Sequence, residues 1–256
     1  MIRIYLLLVL MGVLSAGSVH AISLRTSAQD GNLMWFNPND SVMPGFSMEL
    51  IRLLQQTDTQ LHISGQENVR SLRRLETDLA NGKIDMAVGM VDSPSRRQHF
   101  VVISKPVLYV QHAALAVRKD DYLFRLPEGG VGALGQYGVL AIAQGSAYGE
   151  YLHALGALPV DDGAITVAGN LGKLVRHRVR FVLHAQEELG WHIRLLQLQQ
   201  RVRLIPVAGG QKDVCLMLSR KLPNGTVRRL HSVLLKLERS GSLGALRVKY
   251  GLNGMS

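Results

Sequence analysis

Two adjacent arginines, Arg96 and Arg97, close a polar stretch that begins at Asp92, and some fifty residues later Gln144-Gly145-Ser146 runs into a segment of helical character. A guanidinium is a permanently charged planar fork of N–H donors, and it matches a carboxylate through two parallel bonds. The start of a helix offers a complementary half, with unpaired backbone N–H groups, a partial positive charge and here a serine hydroxyl. Such groups suit the capture of a small anion. Two of these residues also have plainer roles: Ser146 suits an ordinary N-cap. Asp92 suits either an amino group held in a cleft or a salt bridge within its own loop.

Other chemistries find less support in the residues present. No Gly-x-Ser-x-Gly elbow occurs, and the single cysteine, Cys215, sits in the apolar run Val214-Cys215-Leu216-Met217-Leu218, which reads as a buried strand thiol. His177, His184 and His192 stand seven and eight residues apart, without a second ligand at metal spacing, so neither a metal nor another cofactor is expected. The net charge of +10 invites a nucleic-acid reading, but the arginines are scattered, aromatics make up 5%, and no base-reading motif appears. The charge suits anionic solutes or anionic envelope surfaces, and equally a generally basic proteome.

The elements around these residues alternate in the manner of βαβ units. Ile84, Met86, Ala87 and Val88 form the apolar run of a covered strand, and residues 92–97 then form a loop at its carboxyl end, where open α/β sheets hold ligands. Phe46, Leu50, Ile51, Leu53 and Leu54 make a helical stripe, as do Leu72, Leu75 and Leu79. Strands are expected at 24–27, 61–63, 113–117, 139–143 and 178–184, with a Gly-rich connection over 129–138 and a helix from Glu150. At the N-terminus, Arg3, an apolar run over 6–14 and Val19-His20-Ala21 have the form of a cleavable secretory leader over residues 1–21, which addresses the mature chain to the periplasm.

Three motifs carry a family resemblance. Residues 81–109, NGKIDMAVGMVDSPSRRQHFVVISKPVLY, resemble the type II periplasmic solute-binding proteins, family 3, the amino-acid receptors of bacterial ABC importers, in which Gly-Lys-hydrophobic-Asp precedes a strand and Thr-Pro-Glu-Arg follows it. Gly45-Phe46-Ser47-Met48-Glu49-Leu50 is similar to the opening of the family's first long helix, and LERSGSLGALRVKYG over 237–251 to its closing helix pair. The resemblance implies an α/β fold of two lobes, each a mainly parallel sheet flanked by helices, joined by two hinge crossings. It implies lobe one from residues 22–110 with 213–256, lobe two from 111–212, and a monomer without a cofactor.

Counting back from Ser104-Lys105-Pro106 implies that Arg97 is the arginine for the ligand's carboxylate, with Gly145 and Ser146 opposite it. The family's aspartate for an ammonium falls on Ala185, after His184, while Met90 stands for a usual glycine, Asp92 for a threonine, and Trp35 or Phe36 is the ring nearest to the usual stacking position. A buried ammonium without its carboxylate is costly. The resemblance therefore points to a small carboxylate-bearing ligand, an organic anion or an atypical amino-acid derivative, and to an ABC permease or a sensor as partner. An enzyme on the same scaffold, similar to the cyclohexadienyl dehydratases, is the alternative, with Asp92, Glu150 and Glu187 as candidate acids.

Overall fold

A computed structural model describes residues 21–31, 33–156 and 158–252. The expected leader over 1–21 lies almost wholly outside the described residues. In chain order the elements are β1 (Ile22–Arg25), β2 (Ala28–Gln29), α1 (Phe46–Thr57), β3 (Leu61–Ser64), β4 (Val69–Arg70), α2 (Leu72–Ala80), β5 (Met86–Val91), α3 (Pro94–His99), β6 (Phe100–Ile103) and β7 (Tyr109–Arg118). They continue with β8 (Leu140–Ala143), α4 (Ala147–Ala154), β9 (Val160–Ala164), α5 (Val167–Val175), β10 (Phe181–Ala185), α6 (Gln186–Leu195), β11 (Val202–Ser219), α7 (Asn224–Arg239) and α8 (Ser242–Lys249).

Local chemistry explains the first of these helices. Phe46, Leu50, Ile51 and Leu54 recur at helical spacing, and all four are buried. Gly45 precedes them at φ 110, and a Cβ there would lie 2.2 Å from the Trp35 carbonyl oxygen, so the turn that delivers the chain to α1 admits only glycine.

Two strands tie the lobes together. The largest sheet has the order β5-β11-β7-β10-β8-β9, with β6 also on β11. Parallel pairing is found for β10 with β8, β8 with β9 and β1 with β3, whereas β7 and β11 run antiparallel to their neighbours. β11 pairs β7 over Val202–Pro206 and again over Gln211–Val214, with the register broken between them. Pro206 lacks the N–H that an unbroken ladder needs there. Beyond the break, β11 continues against β5 and β6.

The apolar clusters follow this division. Leu24, Phe46, Leu50, Leu61, Met86, Tyr109, Leu216 and Leu234 belong to one core, built on α1, α7 and α8. Leu115, Phe124, Leu140, Phe181 and Leu183 belong to another, with Leu171, Leu174 and Leu189 on the opposite face of the same strands. The expected boundaries after residues 110 and 212 fall inside β7 and β11.

Several local expectations change, the strands expected at 24–27 and 178–184 among them, which lie at Ile22–Arg25 and Phe181–Ala185. The helix expected from Glu150 begins at Ala147, the strand at 113–117 extends over Tyr109–Arg118, and most of the loop at 92–97 is the short helix α3. The last of these matters for the site.

Candidate functional site

The direction of each arginine is set at the start of α3. Ser93 caps it by accepting the Arg96 N–H at 3.3 Å, and Pro94 occupies the first turn. Successive residues of a helix point about 100° apart, so the two arginines cannot share a direction. Arg96 turns inward and is buried, with Nε donating to Glu76 Oε1 at 2.8 Å, Nη2 2.7 Å from the same oxygen, and Nη1 donating to the Val91 carbonyl at 2.9 Å. Arg97 turns outward, its side chain 56% exposed, and both carboxylate oxygens of Asp92 engage it, Nε donating to Oδ1 at 2.7 Å.

Arg97, expected to face the cleft, points to solvent, and the arginine that lines the interlobe cavity is Arg96. Counting back from Ser104-Lys105-Pro106 takes the register from the strand that follows, whereas the helix takes its phase from the cap that precedes it. Aligned on the cap, Ser93-Pro94-Ser95-Arg96 lies over Thr-Pro-Glu-Arg, so the signal was present in the chain. Asp92 is the intraloop salt-bridge partner of Arg97, and that bond holds the Arg97 guanidinium above its ordinary pKa.

Arg96 lines a cavity of about 320 Å³ between the lobes. Glu76, Thr77, Asn81, Ser93 and His99 stand with it on one side, and Gly145, Ser146, Ala147 and Glu150 on the other. Gly145 has φ +72, a left-handed turn that starts α4. Ser146 holds the N-cap position, yet its side chain caps nothing, and its hydroxyl oxygen is buried without a partner. Buried polar atoms are nearly always hydrogen-bonded.

Met90 is not part of this cavity. It packs with Leu75, Leu79, Phe100 and Met217, because alternation along β5 aims it at α2 and β6. Its neighbour Gly89, at φ +84, is the extra residue of a bulge between Val88, paired with Leu216, and Met90, paired with Cys215. A Cβ on Gly89 would lie 2.5 Å from the Trp35 ring, which rests against it.

Trp35, expected near the stacking position, is built into the first core. Its ring meets Phe46 edge-on at 5.1 Å and Tyr109 at 5.3 Å inside the first core, and its Nε1–H donates to Glu188 Oε1 at 3.2 Å across the lobe boundary. Glu188 was not singled out by sequence, and nothing in its helical setting, Gln186-Glu187-Glu188-Leu189, distinguishes it. Its second oxygen lies 2.7 Å from His184 Nε2. Burial pushes the Glu188 carboxyl up, but the charge and hydrogen bond of His184, the indole N–H and nearby His192 outweigh burial and hold it at about 2.

Ala185 ends β10, buried, where an acid for an ammonium would stand. The acids that follow are engaged elsewhere: Glu187 holds His112 Nδ1 at 2.8 Å, and Glu188 holds His184 and Trp35. Of the three candidate acids of an enzyme, only Glu150 lines the cavity. Burial raises the Cys215 thiol to about 12, which leaves it inert at neutral pH. Among the described residues, no group of three or more His, Cys, Asp or Glu side chains is placed to hold a metal ion.

Comparison with known proteins places this geometry. No curated protein sequence matches the chain. Among solved structures, a histidine kinase sensor domain with similarity to periplasmic binding proteins superposes with a TM-score of 0.73 at 18% identity, covering 90% of this chain and 96% of that one. The ligand-binding core of GluR0 from Nostoc punctiforme in complex with L-glutamate gives 0.71 at 16%, covering 89% and 98%. An ancestral arginine-binding protein bound to arginine gives 0.75 at 13%, covering 90% and 99%. At these identities the likeness carries the fold, a two-lobed α/β periplasmic-binding-protein architecture. The sequence profile of the bacterial extracellular solute-binding proteins, family 3, matches residues 26–253, and the chain belongs to that family.

Proposed function

We propose that the protein is an exported receptor that holds a small carboxylate-bearing ligand between its lobes, with Arg96 on one side and the Gly145–Ser146 end of α4 on the other. The carrying observation is the pairing of two incomplete groups across one cavity. Ser146 presents a buried hydroxyl without a partner, and Arg96 has five N–H donors of which three are engaged. Glu76 holds the guanidinium in place, so little conformational freedom is lost when an anion arrives. Each charge-assisted hydrogen bond contributes roughly 1.5 to 3 kcal/mol, so two or three give about 3 to 9 kcal/mol, an affinity between the millimolar and micromolar ranges.

The ligand class follows from what surrounds these donors. With Ala185 apolar and its neighbouring acids engaged, an α-ammonium has no free carboxylate on that strand end. Glu150 on the cavity wall favours a second polar group that donates, such as a hydroxyl or an amide. An organic anion or an atypical amino-acid derivative meets both conditions. The N-terminal leader would deliver the chain to the periplasm, and an ABC permease would read the loaded form. The likeness to a histidine kinase sensor domain supports a second reading, in which a sensor is the partner.

A thermal-shift screen over organic acids and amino acids tests the proposal, since bound ligand raises the melting temperature by mass action. Stabilisation by organic acids that disappears in Arg96→Ala supports it. Tight binding of common L-amino acids, undiminished in Arg96→Ala, would overturn it.

A further inference from the structure

The lobes touch each other outside the Arg96 cavity through side chains of their own. Trp35 belongs to the core of the first lobe and Glu188 to α6 of the second, and both are nearly inaccessible, at 4% and 7% exposure. The indole N–H meets one carboxylate oxygen at 3.2 Å and the His184 imidazole meets the other at 2.7 Å, so both oxygens are engaged. One turn further along α6, Trp191 stacks on Tyr250 of the first lobe, with ring centroids 6.4 Å apart. At a separate contact, Gly31 faces the α5 cap so closely that a Cβ would lie 2.1 Å from Thr166 Cγ2.

Each of these contacts joins residues of the two lobes directly. In a receptor whose lobes meet only through its ligand, an ionised carboxylate buried on the boundary would be a liability, because closure would strip it of water before any partner arrived. Here the partners are supplied by the chain, one from each lobe. Opening would take the indole donor away from Glu188 and uncover the ring that rests on Gly89.

We propose that Trp35, Glu188 and His184 form an internal clasp that keeps the two lobes closed without ligand. Closure is then the resting state, and a ligand in the Arg96 cavity acts on a protein that is already shut. A partner that takes closure as the sign of occupancy would engage the empty protein, so the clasp fits a partner that responds to changes within the closed form, as a sensor does. The clasp rests on the two-lobed architecture and not on the ligand class assigned to the Arg96 cavity.

Small-angle scattering on protein refolded from denaturant, and so freed of ligand, tests the clasp. The wild type is expected to show the radius of gyration of the closed form, unchanged by saturating carboxylates. Glu188→Gln, which keeps shape and removes charge, and Trp35→Phe, which keeps a ring and removes the donor, are expected to shift to larger radii while retaining wild-type circular dichroism. Gly31→Ala, which forces a methyl group against Thr166, is expected to shift the same way through a different contact. A ligand-free wild type as extended as Glu188→Gln would overturn the proposal, as would compact scattering from both clasp variants. Neither result bears on the loss of ligand stabilisation in Arg96→Ala, so the two readings fail separately.

Discussion

Two parts of the same interlobe boundary are built in opposite ways. Around Trp35 and Glu188 the indole N–H, both carboxylate oxygens and His184 Nε2 are engaged, and His184 Nδ1 alone of this group is buried without a partner. Around Arg96 and Ser146 a buried hydroxyl lacks a partner and the guanidinium keeps donors in reserve. A buried polar group without a partner costs about 1 to 3 kcal/mol. On the proposed function, the first contact serves the fold and the second serves a ligand.

The largest effect is expected from breaking the incomplete side. Arg96→Ala removes up to two charge-assisted bonds to a bound anion, so affinity should fall by at least about 10- to 100-fold, as read by calorimetry with the best carboxylate from the screen. It should also lower stability in the absence of ligand, because Glu76 and the Val91 carbonyl lose their partner. Retained affinity would place the ligand elsewhere.

The satisfied side is tested through pH. Because Glu188 is held at about 2 in the folded protein, below the roughly 4.3 of a free glutamate, its contribution is complete above that higher value and is lost as pH falls toward the lower one. Glu188→Gln should therefore be less stable than the wild type near neutral pH, with the gap narrowing on acidification toward pH 3. Urea denaturation at a series of pH values measures it, and a gap independent of pH would mean that the carboxylate is not the stabilising form.

Ser146→Ala sharpens the comparison with a smaller change. One neutral hydrogen bond to ligand is worth about 1 kcal/mol, or roughly a five-fold loss of affinity, while stability without ligand should stay level or rise slightly because a buried unpaired hydroxyl is removed. A clear drop in melting temperature would assign the hydroxyl a structural bond. The smallest effect is expected from Arg97→Ala, whose exposed pairing with Asp92 should leave both ligand affinity and the melting curve close to wild type.

Much of the fold was legible in the chain because periodicity reports burial directly. The stripe at Phe46, Leu50, Ile51 and Leu54 became the buried face of α1, Leu75 and Leu79 that of α2, and the Gly45 turn was where the motif put it. The site was legible only in part. Gly145 and Ser146 lie on the cavity, but Arg97, Met90, Asp92, His184 and Trp35 do not line it, and the arginine that does stands one residue before the expected one. A helix and a strand convert a step of one residue into a turn of about 100° or a change of face, so a register taken from the wrong end of a short element selects the wrong side chain.

The amino-acid sequence by itself determined which elements form, which residues are apolar enough to sit beneath them, and that an arginine and a helix end are available to an anion. These follow from local spacing and side-chain chemistry. Tertiary structure alone decided that Arg96 and not its neighbour lines the same cavity as Ser146, and that Trp35 reaches Glu188 over 153 positions of chain. Such pairings depend on how separate cores are brought together by β7 and β11, and no local pattern encodes a distance between residues that meet only after both lobes have formed.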